Sequence, residues 1–455
     1  MTVPVPPPAR ALPSRPAIPA ASSAALTAAV RAGAALRAPA DIEAPAFAPG
    51  PPALTIAAEG GYGARLAPAR PVGAPAGSPP VWFPERWTLD GPEPYAVPLP
   101  LDQPEEADSQ VQPLADGRVL ICRRVADTYA FSLLYPTGPG TGELALGAVD
   151  CPLITLLPPA PGGDLVYALA PGAHTTAIWL VAGGAFGPEL VTQVPGRCSG
   201  GAWLDRSGRL LALDREADGV VKAIAVDLGR GGETSPLLQI TEDSDDRLLL
   251  ADPDSGLLLI RSNAPGHDRI GWGVLGSMRP VRFPECLRIA DRVLTPFAVQ
   301  PGQVLTPESC AVALRVDGPD GTCLGLWRPS GRRLRLLSAP AGWLPGAGLW
   351  TSDGVLRLPY ATAAAPCAVA QVREPADVPG NTCKDTPDPA GDRDAGTAPY
   401  GPARTSPPAA GAAHREPGAV VGTPSLCRPV PLQQAPLQQQ GAMRGVSISG
   451  REVRG

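Results

Sequence analysis

Three groups of residues in this sequence have the types and spacing that site chemistry requires. His267 and Asp268 are adjacent, as in a pair that transfers a proton. Six carboxylates of the kind that bind calcium lie close together, at Glu242, Asp243, Asp245, Asp246, Asp252 and Asp254. Residues 271–276 read GWGVLG, which has the glycine spacing of a dinucleotide-binding loop.

The surroundings of these groups favour structural roles. His267 has neither a serine elbow nor a metal partner in the sequence, and the other histidines, His174 and His414, stand alone. The acidic spacing lacks the central glycine and final glutamate of a calcium loop, so charged connections around a buried strand explain it better. Pro280 and Pro284 exclude the helix that a dinucleotide loop needs, which favours a glycine-rich strand. We therefore predict no catalytic, cofactor-binding or metal-binding residue, and a chain that is not catalytic by itself.

A turn signal recurs about every 45 residues through the middle of the chain. Its glycines are Gly117, Gly163, Gly208, Gly256 and Gly354. The first four are 46, 45 and 48 residues apart, and the last step of 98 residues spans about two periods. A short apolar run follows each glycine, as in the blades of a β-propeller. The sequence thus predicts an all-β fold, a six- or seven-bladed β-propeller with disordered Ala/Pro-rich N- and C-terminal flanks.

The clearest repeat covers residues 201–241, where four strands fit into one period. We predict strands at 201–205, 209–214, 220–228 and 235–241. The repeat signal weakens between residues 280 and 305, which leaves one turn unassigned. A propeller must also close its ring, and we expect residues 81–101 to supply the strands that the last repeat lacks.

The distribution of tryptophan divides the chain into three parts. All eight tryptophans lie between Trp82 and Trp350, so a packed core is expected over residues 81–372. Residues 1–80 form an Ala/Pro-rich leader, and residues 373–455 form a low-complexity tail. Such segments bury too little apolar surface to offset the entropy of ordering, so we expect both to be disordered.

Two of the turns resemble those of a known class of propeller. Residues 350–354 read WTSDG, and residues 203–209 read WLDRSGR. Both are similar to the tryptophan–aspartate–glycine turn of TolB-like blades, which propellers of the prolyl oligopeptidase family of serine hydrolases also carry. Ser352 stands where that family has proline, and the turn at Trp203 is one residue longer. The resemblance implies a propeller that gates substrate access to a C-terminal α/β-hydrolase domain.

The catalytic half implied by this resemblance has no counterpart in the sequence. The nucleophile elbow G-x-S-x-G is absent, and GVSIS at residues 445–449 departs from it at the last position. Two explanations stay open. The chain is a stand-alone propeller, or it belongs to a larger hydrolase whose reading frame was lost near Ala361.

These observations predict a substrate-gating module of a prolyl-oligopeptidase-like hydrolase, without its catalytic domain. The alternative is a non-catalytic scaffold that binds a protein or peptide partner on a propeller face. Because propellers bind through loops at their faces, the expected contact regions are the turns at Arg206, Asp254, Pro319 and Ser352.

Composition limits the kinds of binding partner and the cellular compartment that we expect for this chain. The net charge is −5, and no basic stripe interleaved with aromatics is present, so we expect no nucleic-acid partner. Without a run of apolar residues long enough to span a bilayer, we expect no membrane partner. Nine cysteines without a CxxC pair favour reduced thiols and, with no recognisable signal peptide, a cytoplasmic location. The Ala, Gly, Pro and Arg content suggests a GC-rich bacterial genome. Arg332, Arg333 and Arg335 have two interpretations, a group that attracts anions at the mouth of the ring or a solvated strand face, and we favour the strand face.

Overall fold

The computed structural model describes residues 53–69, 75, 79–301 and 306–373. Within these residues the chain consists of β-strands joined by turns and by short 3-10 helices at Leu228–Arg230, Glu285–Leu287 and Pro307–Ser309. None of the helices in this part of the chain is long and apolar enough to cross a membrane. The predicted tail and most of the predicted leader lie outside the described residues.

The strands fall into seven antiparallel sets that follow one another along the chain. Set 1 is β1 (Thr55–Ile56), β2 (Tyr62–Ala69), β3 (Val81–Thr88) and β4 (Tyr95–Pro98); set 2 is β5 (Gln110–Pro113), β6 (Val119–Val125), β7 (Thr128–Pro136) and β8 (Thr141–Asp150). Set 3 is β9 (Thr155–Leu156), β10 (Val166–Pro171), β11 (Thr175–Ala182) and β12 (Glu189–Pro195); set 4 is β13 (Arg197–Trp203), β14 (Leu210–Ala217), β15 (Val220–Asp227) and β16 (Glu233–Leu238). Set 5 is β17 (Asp246–Ala251), β18 (Leu257–Ser262) and β19 (Arg269–Val274). Set 6 is β20 (Val293–Val299), β21 (Val312–Gly318), β22 (Gly321–Trp327) and β23 (Arg335–Leu337); set 7 is β24 (Leu349–Trp350), β25 (Val355–Tyr360) and β26 (Ala368–Arg373).

Within each set the strands pair in chain order, as in the blade of a propeller. Sets 4 and 5 are also joined by one parallel bridge, between Lys222 and Asp246. Central strands carry nearly continuous apolar runs, such as Leu210–Leu213 in β14, because neighbouring sets cover both of their faces. The all-β propeller expected from the repeated turns is therefore the observed architecture.

The core lies between neighbouring sets. Leu169 and Ile178 of set 3, for example, pack with Trp203 and Leu211 of set 4 in one buried cluster. The first and last sets are in contact as well, because Trp87 of β3 packs in a buried cluster with Ala347, which precedes β24. The ring of sets is thereby closed by side-chain packing.

The first set begins earlier than the sequence analysis placed the repeats. Strands β1 and β2 lie before residue 81 and pair with β3, as in the contact of Gly63 with Trp87. The sequence signal is weak here because β2 reads YGARLAPA, with few large apolar residues. Its turn glycine, Gly60, also lies 57 residues before Gly117, outside the period of about 45.

Two further details differ from expectation. Residues 81–101 do not supply strands to the last repeat, because β3 and β4 complete set 1 and set 7 keeps three strands of its own. The missing turn near residue 300 is a longer connection from β20 to β21, which includes the 3-10 helix Pro307–Ser309. Set 4, in contrast, has four strands that overlap the predicted ones, although some of their ends differ by up to about four residues.

Candidate functional site

The glycine turns all join the first strand of a set to its second strand. Because each set is antiparallel and the sets stack side by side, these turns gather at one end of the strands, which we call the turn face. Neighbouring turns touch there. The Ala115 N–H donates to the Gly163 carbonyl oxygen at 3.0 Å, and a Cβ added to Gly163 would lie 2.6 Å from Glu59 Oε2.

The turn face contains a cavity of about 380 Å³, which we call the turn-face cavity. Turns and connections of sets 1, 3, 4, 5 and 6 line it together. Prolines supply much of the wall, at Pro159, Pro161, Pro253 and Pro301. Charged side chains are contributed by Glu59, Arg206, Asp252 and Asp254. The site thus combines apolar walls with a few charged groups from widely separated parts of the chain, which is the usual composition of a ligand pocket.

The turn of set 4 is fixed by an aspartate that satisfies its backbone. Asp205 Oδ1 accepts the N–H groups of Arg209 at 3.0 Å and Leu210 at 3.2 Å. Gly208 has a φ of 69°, a left-handed conformation that favours glycine. This rigid turn presents Arg206 at the cavity.

The turn of set 5 is built in the same way. Asp252 Oδ2 accepts the Ser255 N–H at 3.0 Å and the Ser255 hydroxyl at 2.5 Å. Gly256, with a φ of 71°, completes the turn. Asp252 therefore fixes the backbone that carries Asp254, and its carboxylate is occupied by the hydrogen bonds of this turn.

Arg206 and Asp254 form an ion pair across two neighbouring sets, with both carboxylate oxygens accepting guanidinium N–H groups. The Arg206 side chain is 72% exposed, whereas that of Asp254 is 8% exposed. The hydrogen bonds that Arg206 donates to Asp254 are the largest cause that raises the pKa of Arg206 above its usual value. The pair fixes a permanently cationic guanidinium at the rim while solvent still reaches it.

Trp203 forms part of the apolar wall of the cavity. It is buried, and its Nε1–H donates to the Pro158 carbonyl oxygen at 3.0 Å, which links set 4 to set 3. Its ring packs against Tyr167 with centroids 5.4 Å apart at a tilt of 57°. The wall is consequently rigid and has its indole N–H satisfied.

The structure brings together only some of the residues singled out from the sequence. Arg206 and Asp254 meet at the turn-face cavity, and Ser352 lies in the corresponding turn of set 7. Pro319 does not join them, because it lies in the hairpin between β21 and β22, at the opposite end of the strands. Glu59 was missed; its only signal was the short turn Glu59-Gly60-Gly61 within the presumed leader.

The histidines are remote from the turn-face cavity. His174 lies in the β10–β11 hairpin and His267 in the β18–β19 hairpin, both at the end of the strands opposite the turn face. His414 lies outside the described residues. The hexapeptide at 271–276 falls on and just after β19, as the strand interpretation predicted.

The acidic cluster is divided among separate partners. Asp245 accepts the Val221 N–H at 2.8 Å, and Asp246 is buried beside Lys222. Asp252 and Asp254 lie beyond the other end of β17, at the turn face. Among the described residues, no group of three or more His, Cys, Asp or Glu side chains is placed to hold a metal ion.

The described cysteines are free thiols, and each of them is at least partly buried. Cys122, Cys198 and Cys310 are buried, and the other four described cysteines are partly buried. Burial raises the pKa of Cys122 to about 12 and that of Cys367 to about 11. At neutral pH both remain protonated, which is the unreactive form.

Asp214 makes the stability of the fold depend on pH. Its carboxylate is buried in β14 and accepts the Leu248 N–H of set 5 at 3.0 Å. Burial raises its pKa to about 7, despite that hydrogen bond and the nearby Arg247, which both lower it. In the unfolded chain the pKa returns to about 4, so between these values the folded state holds a proton that the unfolded state has lost. Stability is therefore fully present below about pH 4 and falls as the pH rises through about 7.

We expect Asp214→Asn to remove this dependence, because an amide oxygen accepts the Leu248 N–H without titrating. The variant should gain roughly 4 kcal/mol relative to the parent protein at about pH 8, and almost nothing at about pH 4. Urea unfolding at both pH values measures the difference. Parallel pH profiles of the two proteins would contradict the assignment.

No protein-family model matches the chain, and no curated protein matches it. Among solved structures, it is similar to a putative TolB from Agrobacterium tumefaciens, with 15% identity, 59% of this chain and 90% of that chain covered, and a TM-score of 0.36.

Two proteases from Pyrococcus species are also similar to the chain. The β-propeller domain of the trilobed protease from Pyrococcus furiosus has 10% identity, with 70% of this chain and 95% of that chain covered, and a TM-score of 0.43. The acylaminoacyl peptidase from Pyrococcus horikoshii has 12% identity, with 70% of this chain and 51% of that chain covered, and a TM-score of 0.43. The chain spans about half the length of that peptidase. TolB and prolyl-oligopeptidase-type propellers are also the classes that the turn sequences resemble.

Proposed function

We propose that this chain is a peptide-binding propeller module, with the turn-face cavity as its binding site. The observation that carries the proposal is the composition of that cavity, in which proline and tryptophan walls adjoin an exposed arginine held by Asp254. Apolar walls accept the side chains of an extended peptide, and the exposed side of the Arg206 guanidinium donates to a peptide carbonyl oxygen while Asp254 holds its other side. The biological role that we propose is substrate gating for a prolyl-oligopeptidase-like serine hydrolase in the cytoplasm.

A gate selects substrates by size. A cavity of about 380 Å³ admits a short extended segment and excludes a folded protein. The chain should consequently bind unfolded peptides and not native globular proteins. The proposal also requires a hydrolase domain that carries out the cleavage, and this domain is separate from the turn-face cavity.

Filling the turn-face cavity tests the proposal. Ala58 is exposed and lines the cavity, so Ala58→Trp places an indole ring inside it. We expect the affinity for fluorescein-labelled tryptic fragments of casein, measured by fluorescence anisotropy, to fall by about tenfold or more. Unchanged binding by Ala58→Trp would overturn the site, and binding of native albumin as tightly as the fragments would overturn the gate.

A second candidate function, a protein-binding scaffold, is favoured by an exposed apolar surface on the outer strands. Phe186, at the tip of the β11–β12 hairpin, is 93% exposed, and Leu144 and Leu190 are about half exposed. This hairpin lies against β8, because a Cβ added to Gly147 would lie 2.9 Å from Pro188 Cδ. Large exposed apolar residues grouped in this way are typical of protein-interaction surfaces.

Phe186→Ser separates the two candidates and is the matched control for Ala58→Trp. For a gate, Phe186→Ser leaves binding of the casein fragments unchanged. For a scaffold, Phe186→Ser abolishes partner binding while Ala58→Trp leaves it intact.

A further inference from the structure

A second cavity, of about 390 Å³, lies between the outer parts of sets 5 and 6. Its wall comes from Trp272 of β19, from the chain that follows β19, and from the connection between β22 and β23. Two arginines line it, Arg282 and Arg332, so we call it the arginine cavity. None of its lining residues belongs to the turn-face cavity.

Arg282 is fixed by its backbone and by an aromatic ring. Its N–H donates to the Trp272 carbonyl oxygen at 3.0 Å, and the Trp272 N–H donates back at 2.9 Å. The guanidinium carbon lies 5.1 Å from the centroid of the Trp272 ring. This cation–π contact holds the guanidinium in place while its side chain remains exposed.

Arg332 reaches the same cavity from a short, anchored loop. The Ser330 N–H donates to the Glu308 carbonyl oxygen and the Gly331 N–H to the Arg328 carbonyl oxygen, each at 2.8 Å. The loop backbone is thereby tied down immediately before Arg332, which is itself exposed. Two exposed guanidinium groups from different sets thus line one cavity.

The local charge is positive although the chain as a whole is negative. Glu285 also lines the cavity, but Arg269 pairs with it at 2.8 Å. Within the described part of the chain, neither Arg282 nor Arg332 has a carboxylate within ion-pairing distance. An anion that enters the cavity therefore meets two guanidinium groups that no described carboxylate neutralises.

We propose that the arginine cavity binds the carboxylates of an acidic peptide segment of a partner protein. The planar guanidinium fork matches a carboxylate with two parallel hydrogen bonds. Phe283, Pro284 and Pro329 add apolar surface that packs against peptide side chains and that a lone phosphate ion would not use. A nucleic acid is disfavoured because Glu285 borders the site and the net charge of the chain is −5.

The test uses a fluorescein-labelled hexaglutamate peptide and the full chain at low ionic strength. We expect Arg282→Ala/Arg332→Ala to weaken binding by about tenfold or more. The matched control is Arg288→Ala/Arg333→Ala, which removes the same charge from two exposed arginines outside the cavity lining. This control should change the affinity by less than about threefold.

Several results would overturn the proposal. Equal losses in the two double variants would show a non-specific charge effect, and absence of binding by the parent chain would remove the site. Displacement of the peptide by an equal concentration of inorganic phosphate would show a simple anion site. Arg282→Lys, which keeps the charge but loses the fork, should lose part of the affinity. Since Ala58→Trp leaves this cavity unaltered, the outcome is independent of the turn-face site.

Discussion

Replacing Asp246 with alanine is expected to lower the free energy of unfolding by about 3–5 kcal/mol. Asp246 is fully buried at the start of β17, where its carboxylate accepts the Lys222 ammonium at 2.9 Å. It also accepts the Ser262 hydroxyl at 2.7 Å and the Ile240 N–H at 2.9 Å. Alanine would leave the largely buried Lys222 ammonium without its counter-charge, with only the Thr241 and Ser244 oxygens as acceptors. The Ser262 hydroxyl and the Ile240 N–H would lose this acceptor. Sets 4 and 5 would lose the centre of the polar network that joins them.

The background variant Lys222→Met separates the charge effect from the loss of hydrogen bonds. If the unpaired ammonium causes most of the damage, Asp246→Ala should cost clearly less in the Lys222→Met background. Urea unfolding of the four proteins in this cycle gives the coupling energy. A loss below about 1 kcal/mol for Asp246→Ala, or strict additivity of the two substitutions, would contradict this account.

Trp87→Ala is expected to destabilise the fold by about 3–5 kcal/mol and to open it at one place. Trp87 is fully buried in a cluster with Leu54, Leu89 and Ala347, where set 1 meets set 7. Its Nε1–H donates to Glu85 at 2.8 Å. Because this cluster lies between the first and last sets, a cavity here should loosen those two sets from each other before the rest unfolds.

The matched control is Trp327→Ala, which removes an equally buried tryptophan from the cluster between sets 5 and 6. Limited proteolysis with mass spectrometry of the fragments distinguishes the two variants. The parent chain should yield a resistant core that contains all seven sets, from β1 to β26. Trp87→Ala should be cleaved within set 1 at protease concentrations that leave Trp327→Ala intact there. The same early cleavage sites in both variants would refute closure at Trp87.

The parts of the fold that sequence reasoning predicted are those fixed by neighbouring residues. Set 4 has its four strands where the pattern from residue 201 to 241 placed them, because a glycine turn and the apolar run after it are local features. Gly208 determines the turn through its own backbone conformation, and Asp205 in the same turn accepts the backbone N–H groups that follow the glycine. Such signals need no knowledge of distant parts of the chain.

The first set could not be predicted from local sequence signals. Strand β2 carries few large apolar residues, and Leu54 and Trp87 from neighbouring segments supply much of the packing around it. The closing contact with Ala347 joins residues from opposite ends of the described chain, and no short window of sequence contains it. This is why the expected boundary at residue 81 lies after the first two strands.

The candidate sites also combine features that follow from local sequence with features that depend on the tertiary structure. The sequence alone determined that Arg206 and Asp254 lie in turns of neighbouring repeats, because turn chemistry depends on a few adjacent residues. Only the tertiary structure decided that these side chains pair across 48 residues of chain, that Glu59 borders the same cavity, and that Arg282 and Arg332 line another. Each of those arrangements depends on how the sets stack, and stacking is set by burial between residues far apart in sequence.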